Sequence, residues 1–168
     1  IDGVVNTSSL ELGNLLDVKS LGSADAHIVA KATVGGGDLV ADVDARIDGL
    51  GFGKYRYRDI KVDGSVEGSE YSVVVNSLDE NLEFDLYGAM SLGEERPTYD
   101  FSVDMRRADL HALGINRRDS VSVISAMLGA RAEGKSIDEM DGGVSIADVI
   151  YRYADKELAT DRLTVELS

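Results

Sequence analysis

The sequence predicts a mostly β protein with two short helices, and three observations support this fold class. Most of the 168 residues alternate between apolar and polar side chains with a period of two, which is typical of strands with one wet and one dry face. Eighteen glycines against a single proline and no tryptophan favour many turns between strands over a helical bundle. Helical spacing is confined to two short stretches.

Three strands have the strongest alternation, and they begin at Ile60, at Leu82 and after Pro97. Each places apolar side chains on one face and polar or charged side chains on the other. Near the end of the chain Leu163 and Val165 alternate in the same way. The positions that we expect on the dry face of the three strong strands are Ile60, Val62, Val66, Leu82, Phe84, Leu86, Phe101, Val103 and Met105.

Six further strands have a weaker pattern, and glycine-rich turns separate several of them. These strands are expected at 26–34, 39–47, 71–75, 122–132, 144–153 and 156–167. Turns are expected at 35–38, 66–70 and 140–143. The sequence therefore predicts about nine strands.

Two stretches interrupt the alternation and are expected to be the helices. Leu10–Leu16 follows Ser8 and Ser9, which are typical capping residues, and Arg107–Gly114 ends on a glycine suited to stop a helix. Both precede strand-rich segments and lie about a hundred positions apart, which indicates a weak internal repeat. We expect one elongated unit over 1–168, with a first repeat at 8–105 and an incomplete second repeat at 106–168.

The charge of the chain excludes several classes of partner. With 17 Lys and Arg against 31 Asp and Glu, the net charge is -14, so the protein would be repelled by nucleic acid and by anionic bilayer surfaces. No run of about 18 apolar residues is present, so no transmembrane segment is expected in the given sequence. The absence of cysteine removes disulfides and thiol chemistry.

No pattern in the sequence points to catalysis, a metal ion or a cofactor. His27 and His111 are the only histidines, they lie in different predicted elements, and no serine and acid accompany them in a triad arrangement. The glycines between Gly49 and Lys54 do not have the spacing of a phosphate-binding loop. Asp42 and Asp44 fit a solvated strand face. We therefore expect that the protein is not an enzyme and that it has no cofactor.

The dry face of so many strands needs a cover, and two helices of about two turns each are too small to provide it. Two arrangements solve this problem. The sheet either folds onto itself as a sandwich or closed barrel, or forms a trough whose apolar floor stays partly open to an apolar ligand. The residues alone leave both arrangements open.

Four segments resemble three recurring phrases of one family. Gly53–Gly64 (G-K-Y-R-Y-R-D-I-K-V-D-G) resembles the phrase that begins each strand series in the TamB-like proteins of Bacteroidetes, which are part of the broader AsmA-like group. Leu12–Leu16 and Ala108–Ile115 resemble a second phrase, and Asn116–Ser120 (N-R-R-D-S) resembles the one that follows it. The resemblance extends from Leu10 to about Tyr153, and Lys54 departs from it because the family usually has an aromatic residue or asparagine there.

This resemblance implies an internal fragment of a long periplasmic protein that is anchored in the inner membrane. Its curled antiparallel sheet would form an open U-shaped groove, similar to the groove of bridge-like lipid-transfer proteins. The implied partners are phospholipid acyl chains, neighbouring segments of the same chain and an outer-membrane barrel assembly protein. Lipid conduction in outer-membrane biogenesis is the expected function. Assembly of outer-membrane proteins by β-strand augmentation and a closed sandwich that binds glycan or protein are the alternatives.

Overall fold

The structure is a computed structural model that describes residues 1–35, 38–93, 95–135 and 140–167. The described residues form eleven strands and one short helix. In chain order the elements are β1 (Asp2–Glu11), α1 (Leu12–Leu16), β2 (Leu21–Gly35), β3 (Asp38–Phe52), β4 (Tyr55–Tyr57), β5 (Ile60–Glu67), β6 (Glu70–Asp79), β7 (Leu82–Ser91), β8 (Thr98–Asp109), β9 (Ser122–Glu133), β10 (Asp141–Tyr153) and β11 (Lys156–Leu167).

All of the described strands belong to one antiparallel sheet. Its order is β1-β2-β3-β5-β6-β7-β8-β9-β10-β11, and the short β4 pairs with the end of β3 outside this path. Each strand of the path therefore pairs with its neighbours along the chain. Strands β1 and β11 are the two edges and do not pair with each other, so the sheet is not closed. The mostly β prediction is confirmed, and the closed-barrel alternative is wrong.

The alternation of the sequence becomes two chemically different faces of this sheet. In β5 the positions that carry Ile60, Val62 and Val66 are half-buried, while the intervening residues are exposed. The register places Ile47 of β3 beside Ile60 on one side and Ser77 of β6 beside it on the other. We call the side that carries Ile60 the apolar face and the opposite side the polar face.

Most strand positions agree with the sequence prediction, and two strands were missed. Strand β11 has the predicted bounds, whereas β2 and β3 are longer than predicted by several residues at one or both ends. The missed strands are β1, whose residues were assigned in part to a helix, and the three-residue β4. The tip of the predicted turn at 35–38, residues 36–37, lies outside the described residues.

The helix predictions are largely wrong. Only the five residues of α1 are helical, and no side-chain hydrogen bond caps the helix at its N-cap residue Glu11, so Ser8 and Ser9 do not cap it. The second helix is absent because residues 107–109 complete β8 and residues 110–114 form a turn. The Asp109 carboxylate accepts hydrogen bonds from the backbone N–H groups of His111 and Ala112, and the turn ends at Gly114 with a φ of 75°. A single hydrogen-bonded turn is not a helix, because the unfavourable first turn is stabilised only when further turns follow it.

Bulges explain why the alternation fails where these helices were expected. In β8 one extra residue is inserted between Met105 and Ala108, and in β1 another is inserted between Thr7 and Leu10. Each insertion shifts the period-two pattern by one position, so the residues after it return to the apolar face. All the register shifts of the sheet lie toward the end that carries α1.

The chain has almost no conventional core. Of its large apolar side chains, only Leu113 is buried within the described residues, and the other buried hydrophobic residues are alanines. The accessible surface is 11108 Å² for 18.0 kDa, whereas a compact monomer of this mass exposes about 8,000 Å². The excess indicates a single layer whose apolar face no second layer covers.

Five connections meet at the end of the sheet that carries α1, and we call this end the capped rim. It consists of residues 12–20, 53–59, 80–81, 110–121 and 154–155. Backbone hydrogen bonds join these connections to one another or to neighbouring strand ends, for example from Gly53 N–H to the Ser20 carbonyl at 2.7 Å and from Asp109 N–H to the Asn81 carbonyl at 2.8 Å. The capped rim is therefore more elaborate than the opposite rim.

Asp79 is the central residue of the capped rim. Its side chain is only 3% exposed, and it accepts hydrogen bonds from Tyr55 Oη at 2.7 Å, from Arg58 N–H at 2.9 Å and from Asn81 N–H at 2.9 Å. These bonds attach the segment 53–59 to the end of β6. A buried carboxylate with three donors is a structural tie, because each donor loses its only described acceptor if the carboxylate is removed.

Replacing Asp79 by alanine is expected to lower the free energy of unfolding by about 2–4 kcal/mol, because three donors lose their acceptor. The measurement is urea denaturation followed by circular dichroism. The matched control is Asp100→Ala, whose partner Arg131 has a side chain that is 82% exposed, and whose loss should cost no more than about 0.5 kcal/mol. Equal effects of the two substitutions would contradict the assignment of Asp79 as a structural tie.

Candidate apolar binding surface

A continuous row of aliphatic side chains crosses the apolar face from one edge of the sheet to the other. Each member lies directly opposite the next in the strand register, so the row runs at right angles to the strands. Its ten members, which we call the central row, are Val5, Ile28, Ala45, Val62, Val75, Leu86, Val103, Leu128, Ile146 and Leu163. With strands about 4.8 Å apart, the row is about 43 Å long.

The structure places all eleven sequence-predicted site residues on the apolar face. Val62, Leu86, Val103 and Leu163 belong to the central row. The others flank it in adjacent rows: they are Ile60, Val66, Leu82, Phe84, Phe101, Met105 and Val165. The register therefore joins four separate strands into one surface.

Several residues of this surface were not among the predicted site residues. Strands β1, β2, β3, β6, β9 and β10 contribute residues to it that include Val5, Ile28, Val73, Val75, Leu128 and Ile146. The alternation pattern could have identified them, since each occupies one of the alternating apolar positions of its strand. What the sequence lacked was the order of the strands, which is needed to join weak strands to strong ones.

Exposure along the surface increases toward the edge at β11. Phe84, Leu86 and Val103 in the middle are half-buried, because neighbouring side chains on the same face pack beside them. Leu163 and Val165 on β11 are 58% and 51% exposed. Large apolar surfaces that remain exposed in this way mark sites of interaction with another molecule or with lipid.

A glycine on this face makes room for an aromatic ring. Gly88 lies opposite Phe101, and a Cβ at Gly88 would approach the Phe101 ring to 2.7 Å and the Val73 side chain to 3.0 Å. The ring therefore covers the glycine and fills the space that a side chain would take. This packing keeps the surface apolar at a position where the backbone would otherwise be exposed.

The polar face carries cross-strand ion pairs. Arg106 of β8 pairs with Glu83 at 2.7 Å and also with Asp85, both on β7. Arg106 and a hydrogen bond from Asn76 lower the pKa of Asp85 below its ordinary value. Arg131 pairs with Asp100 at 2.8 Å, and Arg152 pairs with Glu157 at 2.7 Å. These solvated pairs fix strand register more than they add stability.

A second hydrogen-bonded cluster holds the segment 110–121 at the capped rim. Ser122 is fully buried, and its Oγ lies 2.9 Å from Tyr151 Oη. The side-chain amide of Asn116 donates to Ser122 Oγ at 3.1 Å and to Asp119 at 3.1 Å. Within the described residues, no buried side-chain polar atom lacks a partner. The two rim clusters are therefore satisfied internally and do not form an empty polar site.

The two histidines do not come together. His27 lies exposed on the polar face, where its ring contacts Asn6 and its strand neighbour is Arg46. His111 lies exposed in the turn that follows β8. In the part of the chain that the structure describes, no group of three or more acidic or histidine side chains is placed to hold a metal ion. None of the described helices is long and apolar enough to cross a membrane.

No protein-family model, curated protein or solved structure matches this chain. The geometry of the apolar face is therefore the basis for the function proposed below.

Ionisation of two rim tyrosines is expected to limit stability at high pH. Burial raises the pKa of Tyr55 and of Tyr57 above the ordinary 10.0, with the Asp79 carboxylate adding to the rise and a hydrogen bond from Asn81 opposing it at Tyr55. The unfolded chain releases these protons first as the pH rises. The free energy of unfolding should therefore be unaffected by these groups below pH 10 and fall as the pH rises through their folded pKa values.

The measurement is urea denaturation across this pH range, together with the absorbance of tyrosinate. The variant Tyr57→Phe should reduce the alkaline loss of stability, whereas Tyr87→Phe, at an exposed position on the polar face, should not. A Tyr57→Phe variant with an unchanged alkaline loss would show that other groups cause it.

Proposed function

We propose that the apolar face holds phospholipid acyl chains and that the chain acts as a lipid-conducting segment of a periplasmic bridge protein of the TamB-like and AsmA-like kind. The single observation that carries this proposal is the central row, an aliphatic strip across ten strands that no second layer covers. In this proposal the sheet curls around its occupant as a U-shaped groove. The protein has a structural role in outer-membrane biogenesis and does no catalysis.

The energetics favour a lipid as occupant. Burial of apolar surface contributes about 0.8 kcal/mol for each CH₂ group, so ten methylenes in contact are worth about 8 kcal/mol before ordering costs. The central row has no polar side chains along its length, so an acyl chain makes similar contacts at each position along it. A bound lipid is therefore able to move along the row without crossing a large barrier.

The direction of movement follows from the register. The central row runs at right angles to the strands, from the β1 edge to the β11 edge. In the proposal, neighbouring segments of the same protein extend the row at both edges, and the full-length protein is anchored in the inner membrane. Each added strand lengthens the path by about 4.8 Å.

The test uses two matched pairs of residues on β6 and β7. Val75 and Leu86 lie opposite each other on the apolar face, and Val74 and Tyr87 lie opposite each other on the polar face one position away. The double variant Val75→Asn/Leu86→Asn should reduce phospholipid binding at least ten-fold, because it places two amides in the central row. The control Val74→Asn/Tyr87→Asn should bind as the unmodified protein does.

Native mass spectrometry with added phosphatidylglycerol measures the bound fraction, and circular dichroism checks that both variants fold. Discrete phospholipid adducts that only the apolar-face variant loses would support the proposal. A protein that takes up no phospholipid, or loses it equally in both double variants, would overturn it.

A second candidate function is a template for incoming strands of outer-membrane proteins by β-strand augmentation. The observation that favours it is the free edge at β11, which pairs with β10 without a register shift and exposes Leu158, Leu163 and Val165. A regular, exposed edge strand is able to accept another strand.

Charged substitutions on the polar face of this edge separate the two functions. The variant Thr160→Lys/Thr164→Lys should weaken the capture of an extended peptide with alternating apolar and polar residues, because charge on an edge discourages pairing. It should leave phospholipid binding unchanged. Fluorescence anisotropy measures the capture of the peptide. If this variant still captured the peptide, the peptide would not bind at the β11 edge.

A further inference from the structure

The capped rim contains two basic segments, although the chain as a whole is strongly acidic. By sequence, segment 53–59 of the capped rim carries three basic residues against one acid, and segment 110–121 carries two against one with a histidine in addition. A protein with a net charge of -14 thus has two basic segments at one end of its apolar face.

Four of these basic side chains are exposed and have no ion-pair partner within the described residues. They are Lys54, Arg58, Arg117 and Arg118. The fifth, Arg56, is held by Asp25 at 2.5 Å. Over the five connections of the capped rim, six Lys and Arg stand against five Asp and Glu, and Asp79 adds a buried carboxylate. The whole chain has 17 Lys and Arg against 31 Asp and Glu, so this rim is much less acidic than the rest of the chain.

Asn81, in the connection between β6 and β7, lies between the two basic segments and links segment 53–59 to the end of β8. The Asn81 side-chain amide donates to Tyr55 Oη at 3.0 Å, and the backbone carbonyl of Asn81 accepts from Asp109 N–H at 2.8 Å. Asp79 fixes the backbone of Arg58 and Ser122 accepts the Asn116 amide, so both segments are attached to strand ends that carry the apolar face. The cations are therefore presented by ordered backbone.

Tyrosines lie where the apolar face meets this rim. Tyr55 and Tyr57 make an edge-on ring contact at 4.9 Å, and Tyr151 and Tyr153 stack at 5.4 Å. Tyrosine has an apolar ring and a polar hydroxyl, and it is enriched where hydrocarbon meets polar head groups. This rim therefore has the composition of such a boundary.

The length of the apolar face along the strands suits one lipid leaflet. From Ile60 to Val66 on β5 the distance along the strand is about 20 Å, and the hydrocarbon of one leaflet is about 15 Å thick, half of a bilayer core. An acyl chain of about 15 Å that lies parallel to the strands thus extends from one rim over most of this distance of about 20 Å. Its head group then lies at one rim.

On these grounds, and resting on the lipid function proposed above, we propose that bound lipids are phospholipids oriented with their phosphate groups at the capped rim. Arg58, Arg117 and Arg118 contact the phosphates, and the acyl chains run parallel to the strands toward the opposite rim. All bound lipids then have the same orientation, side by side along the central row.

Spin-labelled phospholipids test this orientation on the full chain. A nitroxide on the head group should broaden the backbone amide NMR signals of residues 53–59 and 110–121, and a nitroxide near the end of the acyl chain should broaden those of residues 67–70. Broadening of both rims by the head-group label would overturn the orientation while leaving lipid binding intact. No broadening by either label would overturn the lipid function itself.

Binding of matched lipids tests the role of the cations. Each cation near a phosphate is worth about a five-fold change in affinity, so Arg58→Gln/Arg117→Gln/Arg118→Gln should lose at least ten-fold in affinity for phosphatidylglycerol and little for diacylglycerol with the same acyl chains. The control Lys31→Gln/Arg46→Gln/Arg162→Gln removes three cations that lie in strands away from this rim and should retain the preference for phosphatidylglycerol.

If both triple variants had the same preference for phosphatidylglycerol over diacylglycerol, the assignment of the rim cations as phosphate contacts would be wrong. A last experiment adds inorganic phosphate alone. If it shifts the NMR signals of the rim amides as strongly as phosphatidylglycerol does, and the acyl-chain label broadens no signal, the rim binds free phosphate. The assignment to a lipid would then be wrong. Loss of the preference only in the rim variant, together with its decrease at high salt, would support it.

Discussion

The strand register is the constraint on which the rest of the structure depends. Because side chains alternate between faces, a slip of one residue in any strand pair would move that strand's apolar set to the polar side and interrupt the central row. The ladder holds this register over ten strands, and cross-strand pairs such as Arg106 with Glu83 and Asp85 reinforce it on the polar face. A single-layer sheet has no opposing layer to correct an error, so register and side-chain pairing provide most of its specificity.

The capped rim ends the apolar face with polar groups, and the described residues form almost no apolar core. Bulges in β8 and β10 lie at this end, and buried Asp79 and Ser122 replace aliphatic side chains there. Their hydrogen bonds attach the connections to the strand ends, and no buried polar side-chain atom among the described residues lacks a partner. The rim is therefore rigid and polar where the adjoining face is apolar, and this contrast underlies the proposed separation of head groups from acyl chains.

Period-two alternation was sufficient to predict the mostly β fold and the face on which Ile60, Leu86 and Val103 lie, because both depend on local sequence. It failed at Arg106–Arg107, where a bulge breaks the alternation and resembles the start of a helix. The two tyrosines of β4 were read as part of a recurring phrase, since a three-residue strand has too few positions to display a period. The central row required the order of all ten strands, which follows from long-range pairing and not from any single segment.

The sheet is a meander, in which strands that follow one another in the sequence lie side by side. This order affects how the chain folds and how the length of the sheet can change. Each strand pairs with strands adjacent in sequence, so hairpins form between nearby residues and the loop-closure entropy of every step is small. Adding or removing one hairpin alters the sheet by two strands and returns the chain to the same rim, which preserves both the antiparallel alternation and the side that is apolar. The molecule thus behaves as a nearly one-dimensional array, in which evolution is able to adjust reach in steps of about 10 Å without redesigning the surface.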